Sequence, residues 1–356
     1  MSLFFAIPLL SFPANRDIIY PYRNLVAHRN FQGENMFWFW FGLGLLAVVI
    51  SIIVSAIVSS GFYFFRRVFL RADKTPAAEE KAKARLERQG HPEIYPMIEE
   101  GKKYMASLPS VPVELTSFDG LTLRARYYKN PAHSGTTVLL SHGYKSYPEY
   151  DFGAVCSIYW ERGCDLLVPW SRAHMESDGR FTTLGAFEKR DLLDWCLLLE
   201  KQVSPEEKIV LAGMSMGSTV SLLAASDGRC PKNVCGVIAD CGFISIRREI
   251  CDILKVVGFP KFPIVWSGGI ISRIRLGVSL DDFSTVDEVK KLTLPVLFIH
   301  GEADTFVLPD SSEKNFAACA SQNKTLVTVP GAQHCYAFHT DRELVSKSIS
   351  DFLDRL

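Results

Sequence analysis

The stretch Ile209–Ser221 reads IVLAGMSMGSTVS. An aliphatic run ends in Gly213-Met214-Ser215-Met216-Gly217, and small residues compatible with a helix follow. Glycines two places either side of a serine let a strand and the next helix pass close together. The serine hydroxyl then projects from a tight turn, as a nucleophile must. A glycine-rich loop with an ordinary serine has the same five letters, so the surroundings must decide.

Outward from this stretch the chain alternates strand and helix. Val113–Phe118 and Leu121–Tyr128 alternate around Asp119-Gly120, the signal of a hairpin. Thr136–Gly143, Asp165–Trp170, Lys208–Ala212, Val234–Asp240, Leu294–Gly301 and Lys324–Pro330 read as buried strands. Helical patterns fall at Tyr150–Arg162, Leu184–Lys201, Met216–Ala225 and Arg342–Leu356. Continuous apolar strands separated by helices predict a mostly parallel sheet covered on both faces, with an antiparallel start. The pattern loosens between Gly242 and Leu294, which makes residues 243–294 a candidate cap over the ligand crevice at the strands' carboxyl ends. Phe243, Ile253, Leu254, Phe259, Phe262, Ile264 and Trp266 are its apolar groups.

The chain has 356 residues, of which 48% are apolar, enough for a sizeable core. Lys plus Arg, 39, balances Asp plus Glu, 39, against the basic excess of a nucleic-acid binder. The nine cysteines form no CxxC pair and are odd in number. That disfavours a disulfide framework or a zinc site and fits free thiols in a reducing compartment.

Met36–Phe65 contains no charged residue. A helix needs about 20 apolar residues to cross a bilayer, so this stretch predicts one transmembrane span. Trp38, Trp40 and Tyr63 sit at its ends like interfacial aromatics. Arg66, Arg67, Arg71 and Lys74, then Lys81, Lys83 and Arg85, follow it; Arg16, Arg23 and Arg29 precede it. The positive-inside rule puts the C-terminal part in the cytoplasm. The opening Met1–Phe12 is apolar but broken by Pro8 and lacks a basic start, so it reads as surface-lying and not as a signal peptide. Lys74–Gly90 reads as a solvated helical spacer. The predicted organisation is an N-terminal segment (1–35), a membrane helix (36–65), a helical linker (66–108) and a catalytic domain (109–356).

A serine hydroxyl needs a base to take its proton and a third group to orient that base. Downstream, VLFIHGEADTFVLP places Asp304 just past a strand, with Glu302, Asp281 and Asp282 as competitors. VTVPGAQHCYAF places His334 in a loop after the last strand, while His339 falls where the final helix should begin. The order Ser, acid, His on successive strand ends makes Ser215, Asp304 and His334 the expected catalytic set. The oxyanion would be held by two backbone N–H groups, that of Met216 opening a helix and that of Tyr144 in the loop SHGYKS. His142 is expected to pack that loop without taking a proton.

These constellations together resemble the α/β-hydrolase fold superfamily, and within it the membrane-anchored bacterial serine hydrolases. The resemblance spans about Met97–Leu356 and rests on LLSHGYKS, SRAHMESDG, LGAFEKRDLLDW, GMSMG, IADCGF, PVLFIHGEAD and GAQH. It implies Ser215 as nucleophile, Asp304 as acid and His334 as base. Two departures stand out. The family's Asp-x-Arg-Gly-His-Gly-x-Ser loop is here Trp170 to Ser177, with the Asp and both Gly replaced; the proline expected after Asp-x-x-Val is Leu308, with Pro309 one place later. The expected activity is esterase-type hydrolysis of a small-molecule acyl substrate beside a lipid bilayer, without metal or organic cofactor and without nucleic acid. Aminopeptidase, thioesterase and acyltransferase chemistry, or a non-catalytic binding role, are the alternatives the same fold can host.

Overall fold

Strand β5 (Lys208–Met214) is buried at every position after its first, because it lies inside an eight-stranded sheet. The sheet runs β1 (Ser110–Thr116), β2 (Thr122–Tyr128), β4 (Asp165–Pro169), β3 (Thr136–Ser141), β5, β6 (Val234–Asp240), β7 (Val296–Gly301), β8 (Lys324–Val329). β1 pairs antiparallel with β2, and β2 with β4; every later pairing is parallel. This is the predicted mostly parallel sheet with an antiparallel start. The coordinates are a computed structural model that describes residues 20–71, 80, 83–84, 86–88, 90–204 and 206–356. The opening Met1–Phe12 and the cations Arg16, Lys74, Lys81 and Arg85 lie outside the described residues, as do the side chains of Arg23 and Arg29.

Side chains alternate across a strand, so each strand feeds two cores. Leu139, Leu167, Ile209, Leu211, Val237 and Phe298 point into one layer. Helices α5 (Glu188–Gln202) and α6 (Met216–Ala225) cover that face through Leu192, Trp195, Leu199, Val220 and Leu223. Val138, Leu140, Leu166, Val210, Ile238 and Ile299 point the other way. They meet Met105 of α2 (Ile94–Ser107), Tyr159 of α4 (Cys156–Glu161) and Ile349 and Phe352 of the last helix, Arg342–Leu353.

Two predicted helices differ in extent. Tyr150–Arg162 is not one helix but α3 (Pro148–Phe152) and α4, separated by a turn at Gly153. There the backbone of Gly101 in α2 passes so close that a Cβ on either glycine would collide with the other segment. The helix expected from Leu184 begins at Glu188, because residues 182–185 wrap around the buried Glu188 carboxylate. It accepts from Thr182 Oγ1 (2.9 Å), Thr183 N (2.7 Å), Thr183 Oγ1 (2.5 Å) and Gly185 N (2.8 Å).

The chain divides into two compact units, Met1–Val58 and Ser59–Leu356, and helix α1 (Tyr20–Phe69) contributes to both. In the first unit the apolar side chains from Met36 to Val54 are exposed along the helix. Among the described residues, α1 is the one helix long and apolar enough to cross a membrane. In the second unit its last turns are core: Phe64, Phe65 and Phe69 are buried with the sheet residues. The sequence places the membrane segment's end at Phe65 and the catalytic domain's start at 109. The compact unit begins earlier, at Ser59, because these phenylalanines and α2 pack onto the sheet.

The insertion forms α7 (Ile246–Val256), α8 (Ile264–Leu276) and the short α9 (Thr285–Glu288). Gly61 and Phe64 of α1 abut Ser267 and Gly268 of α8. Of the apolar groups expected above the crevice, Phe243 is buried, but Phe259, Phe262 and Trp266 are 61%, 67% and 56% exposed. Trp266 faces outward because the inner side of α8 is occupied by Val265, Gly268 and Ile271 against the core, and Phe259 and Phe262 lie in the exposed loop between α7 and α8.

Candidate active site

Ser215 sits between β5 and α6 with φ 54° and ψ −114°, a conformation rarely adopted by a residue with a side chain. Its N–H donates to the Asp240 carbonyl at 2.8 Å, which fixes the turn to the end of β6. Gly213 and Gly217 make the turn possible. A Cβ on Gly213 would run into the Gly217 carbonyl, and one on Gly217 into that of Ser141 at the end of β3.

Three strand ends bring the predicted residues together. His334, after β8, lies with Nε2 2.9 Å from Ser215 Oγ and Nδ1 2.7 Å from Asp304 Oδ2. Asp304, after β7, is held from its other oxygen by the N–H groups of Phe306 (2.8 Å) and Val307 (3.0 Å). Burial alone would raise its carboxyl, but the charges and hydrogen bonds of His334 and His300 outweigh it and hold Asp304 at about 2. Burial would likewise lower His334, and the neighbouring Cys241 sulfur and the Asp304 carboxylate act the other way. The Cys241 thiol is itself pushed well above its usual range by burial, so it is neutral at neutral pH. The carboxylate therefore carries the shift, and the imidazole stands above its usual value. An imidazole so placed can accept a hydroxyl proton through Nε2 while the carboxylate holds its Nδ1–H.

The competitors lie elsewhere. Glu302 is exposed, and its backbone N–H bonds the Val329 carbonyl. Asp281 pairs with Arg247 at 2.6 Å, and Asp282 accepts from the Ser279 N–H. His339 packs against the rings of Tyr336 and Phe338. His142 has Nδ1 2.8 Å from the Gly143 carbonyl and accepts from the Ser171 N–H at Nε2, 3.0 Å; burial pushes it down to about 3, so it stays neutral.

Met216 opens α6, where a first-turn N–H has no carbonyl behind it. The Tyr144 N–H has no acceptor among the described hydrogen bonds. Its loop is fixed from both sides. Asp151 accepts from the Gly143 N–H (2.7 Å) and Ser146 Oγ (2.6 Å), and the Lys145 N–H donates to His174 Nε2 (3.0 Å). The Tyr144 hydroxyl donates to the Val68 carbonyl (2.7 Å), and Lys145 Nζ to that of Arg67 (2.6 Å), so the loop caps the end of α1.

Several site residues escape a sequence reading. Asp151 is a helix residue without a motif. His300 lies within β7, with Nδ1 2.7 Å from Ser312 Oγ and Nε2 3.3 Å from Asp304 Oδ2. The Phe306 ring lies 5.0 Å from that of His334. Glu249 of α7 is buried, has one oxygen without a partner among the described residues and is pushed up to about 8 by burial, within the field of His334. Cys241 and Cys335 bring their sulfurs to 3.6 Å beside the imidazole.

In the departing loop, Ala173 and Met175 occupy the two glycine positions of the family pattern and have φ 58° and 45°. The retained Arg172 is buried and bidentate on Asp191 (2.7 and 2.6 Å), and it also reaches Asp119 (2.8 Å). Ser177 donates to the Trp170 carbonyl and accepts from the Arg124 N–H.

Comparison with known proteins gives the same fold. Residues 264–341, which hold Asp304 and His334 but not Ser215, match the family model described as serine aminopeptidase, S33. The chain is 23% identical to the uncharacterized protein YqkD of Bacillus subtilis (strain 168), covering 87% of this chain and 97% of that one. It is 26% identical to the monoglyceride lipase of Rattus norvegicus, covering 66% and 86%. Among solved structures, the esterase Pf2001 of Pyrococcus furiosus superposes with a TM-score of 0.58 at 24% identity, over 70% of this chain and 93% of that one.

Proposed function

We propose that this chain, a member of the α/β-hydrolase superfamily, is a serine hydrolase of the esterase type anchored to a membrane by helix α1. The observation that carries the reading is the unbroken chain Ser215 Oγ–His334–Asp304 at 2.9 and 2.7 Å on an elbow that only glycines permit. In the proposed reaction His334 Nε2 takes the Ser215 proton as Oγ attacks the acyl carbon. The N–H groups of Met216 and Tyr144 receive the oxyanion. The imidazolium returns its proton to the leaving alcohol, and an acyl-Ser215 ester remains. Water, deprotonated by the same imidazole, then releases the acid.

An uncharged, lipid-derived ester fits this reading best. The outward Phe259, Phe262 and Trp266 leave exposed apolar side chains on the insertion, as suits an enzyme that takes lipid-derived substrates. The similarity to a monoglyceride lipase points to the same substrate class. The family description favours one second reading, aminopeptidase, and Glu249 is a buried carboxyl of the insertion, in the field of His334, that could meet a substrate amine. Burial keeps Glu249 largely protonated at neutral pH, a poor anionic clamp, so we rank this reading second.

The test is kcat/KM for the purified full chain against p-nitrophenyl esters of rising acyl length, acyl thioesters and amino-acyl anilides. The reading predicts that esters are cleaved fastest. Faster turnover of amino-acyl anilides than of any ester would replace it with the aminopeptidase reading.

A further inference from the structure

Cys241 and Cys335 are 94 residues apart in sequence, and no motif links them. The fold joins them because Cys241 directly follows β6 and Cys335 directly follows His334. Both adopt positive φ, 45° and 67°, one just past β6 and the other in the loop after β8, on either side of β7 in the sheet. A sulfur from each and a ring nitrogen of His334 all lie within 4.8 Å of one another.

We propose that Cys241, Cys335 and His334 form a binding site for a soft divalent cation of the Zn²⁺ class, and that its occupation switches the hydrolase off. The second clause rests on the proposed role of His334 as base.

The geometry favours a metal over a disulfide. Two sulfurs on one tetrahedral zinc, each about 2.3 Å from it, lie about 3.8 Å apart. The observed separation is 3.6 Å. A disulfide would need contraction to about 2.05 Å. Two thiols and one imidazole are also the donor types that select zinc over magnesium or calcium. Binding is balanced by loss of both thiol protons to solvent: two S–H bonds break, two Zn–S bonds form, and no electron moves. The fourth position is left to water. The His334 side chain is about 16% exposed and Cys335 is half-buried, while Cys241 is buried. An imidazole whose ring nitrogen is on zinc cannot take the Ser215 proton, so occupation and hydrolysis exclude each other.

The experiment uses the full chain in detergent. Binding is read with Co²⁺ through its thiolate-to-metal absorption band, in the Ser215→Ala background, so the readout does not depend on activity. Inhibition is read separately as ester hydrolysis under Zn²⁺, with a chelator to reverse it. The site predicts one equivalent of Co²⁺ with a thiolate band, lost in Cys241→Ser and in Cys335→Ser. It also predicts reversible inhibition by Zn²⁺, with each serine variant shifted by more than the roughly 10–100-fold that loss of an outer-shell partner costs. Two different cysteines are tested because either variant alone could disturb its turn. Absence of the band, or zinc inhibition unchanged in both variants, overturns the proposal. If the parent cleaves no ester while the band behaves as predicted, the metal site stands and it is the hydrolase reading that fails.

Discussion

At the scale of single residues, the proposed mechanism turns on His334 being neutral when Ser215 attacks. The Asp304 carboxylate raises the imidazole above its usual value, so more of it is protonated at neutral pH than in a free histidine. Activity should therefore rise with pH and level off with a midpoint above the usual ~6.5. Asp304→Asn removes the charge, so its midpoint should shift down, and kcat should fall by roughly 10⁴ through the wrong tautomer. Glu302→Gln, on an exposed turn, should be nearly silent. pH–rate profiles of the three proteins check this, and an unmoved midpoint in Asp304→Asn would contradict the assigned cause. That Ser215, Asp304 and His334 meet was legible in the sequence because each follows an apolar strand and their order is constrained. Asp151 and His300 were not. Their partners, the Gly143 N–H and Asp304, are met only through the fold, and neither residue type in a helix or strand signals such a contact.

At the scale of elements, the loop from Trp170 to Ser177 explains a departure the sequence could only note. Its two replaced glycines fall where the backbone has positive φ, a region that costs a residue with a Cβ roughly 1–2 kcal/mol. Ala173→Gly and Met175→Gly should each raise stability by about 0.5–1 kcal/mol, the strain relieved less the entropy glycine loses. Thermal unfolding of the two variants checks it, and a lower Tm for both would show that the loop's surroundings, not the backbone, set the cost. Arg172 works the other way. It is buried between Asp191 and Asp119 and stacks at 5.2 Å on Phe118 and Phe187, so Arg172→Ala should cost about 3–5 kcal/mol by stranding Asp191. The strands were legible from their apolar runs. The helix starts were not, because a buried carboxylate at Glu188 and a crossing at Gly101 and Gly153 moved them.

At the scale of the whole molecule, the end of α1 belongs to the second unit. Phe64, Phe65 and Phe69 each bury a side chain worth on the order of 2 kcal/mol, and Arg71 donates to the carbonyls of Ser177 and Met175. A truncation starting at Ser59 should remain folded, whereas one starting after Arg71 should lose most of a typical 5–15 kcal/mol stability. Circular dichroism and solubility of the two truncations check this; equal stability would mean that these residues are dispensable. The sequence hid the boundary because its apolar run continues unbroken from bilayer-suited residues into core phenylalanines. Orientation is argued from Arg66, Arg67 and Arg71. Cysteines of the Ser59–Leu356 unit should resist a membrane-impermeant maleimide in intact cells, and strong labelling would place that unit outside.

The proposed chemistry depends first on Ser215 as nucleophile. The most direct measurement is peptide mapping by mass spectrometry of the full chain after treatment with a fluorophosphonate, in the parent protein and in Ser215→Ala. The proposed mechanism predicts one phosphonyl adduct, on the peptide carrying Ser215, and none in the variant. An adduct that persists in Ser215→Ala, or a parent protein that takes up no label at all, would contradict it.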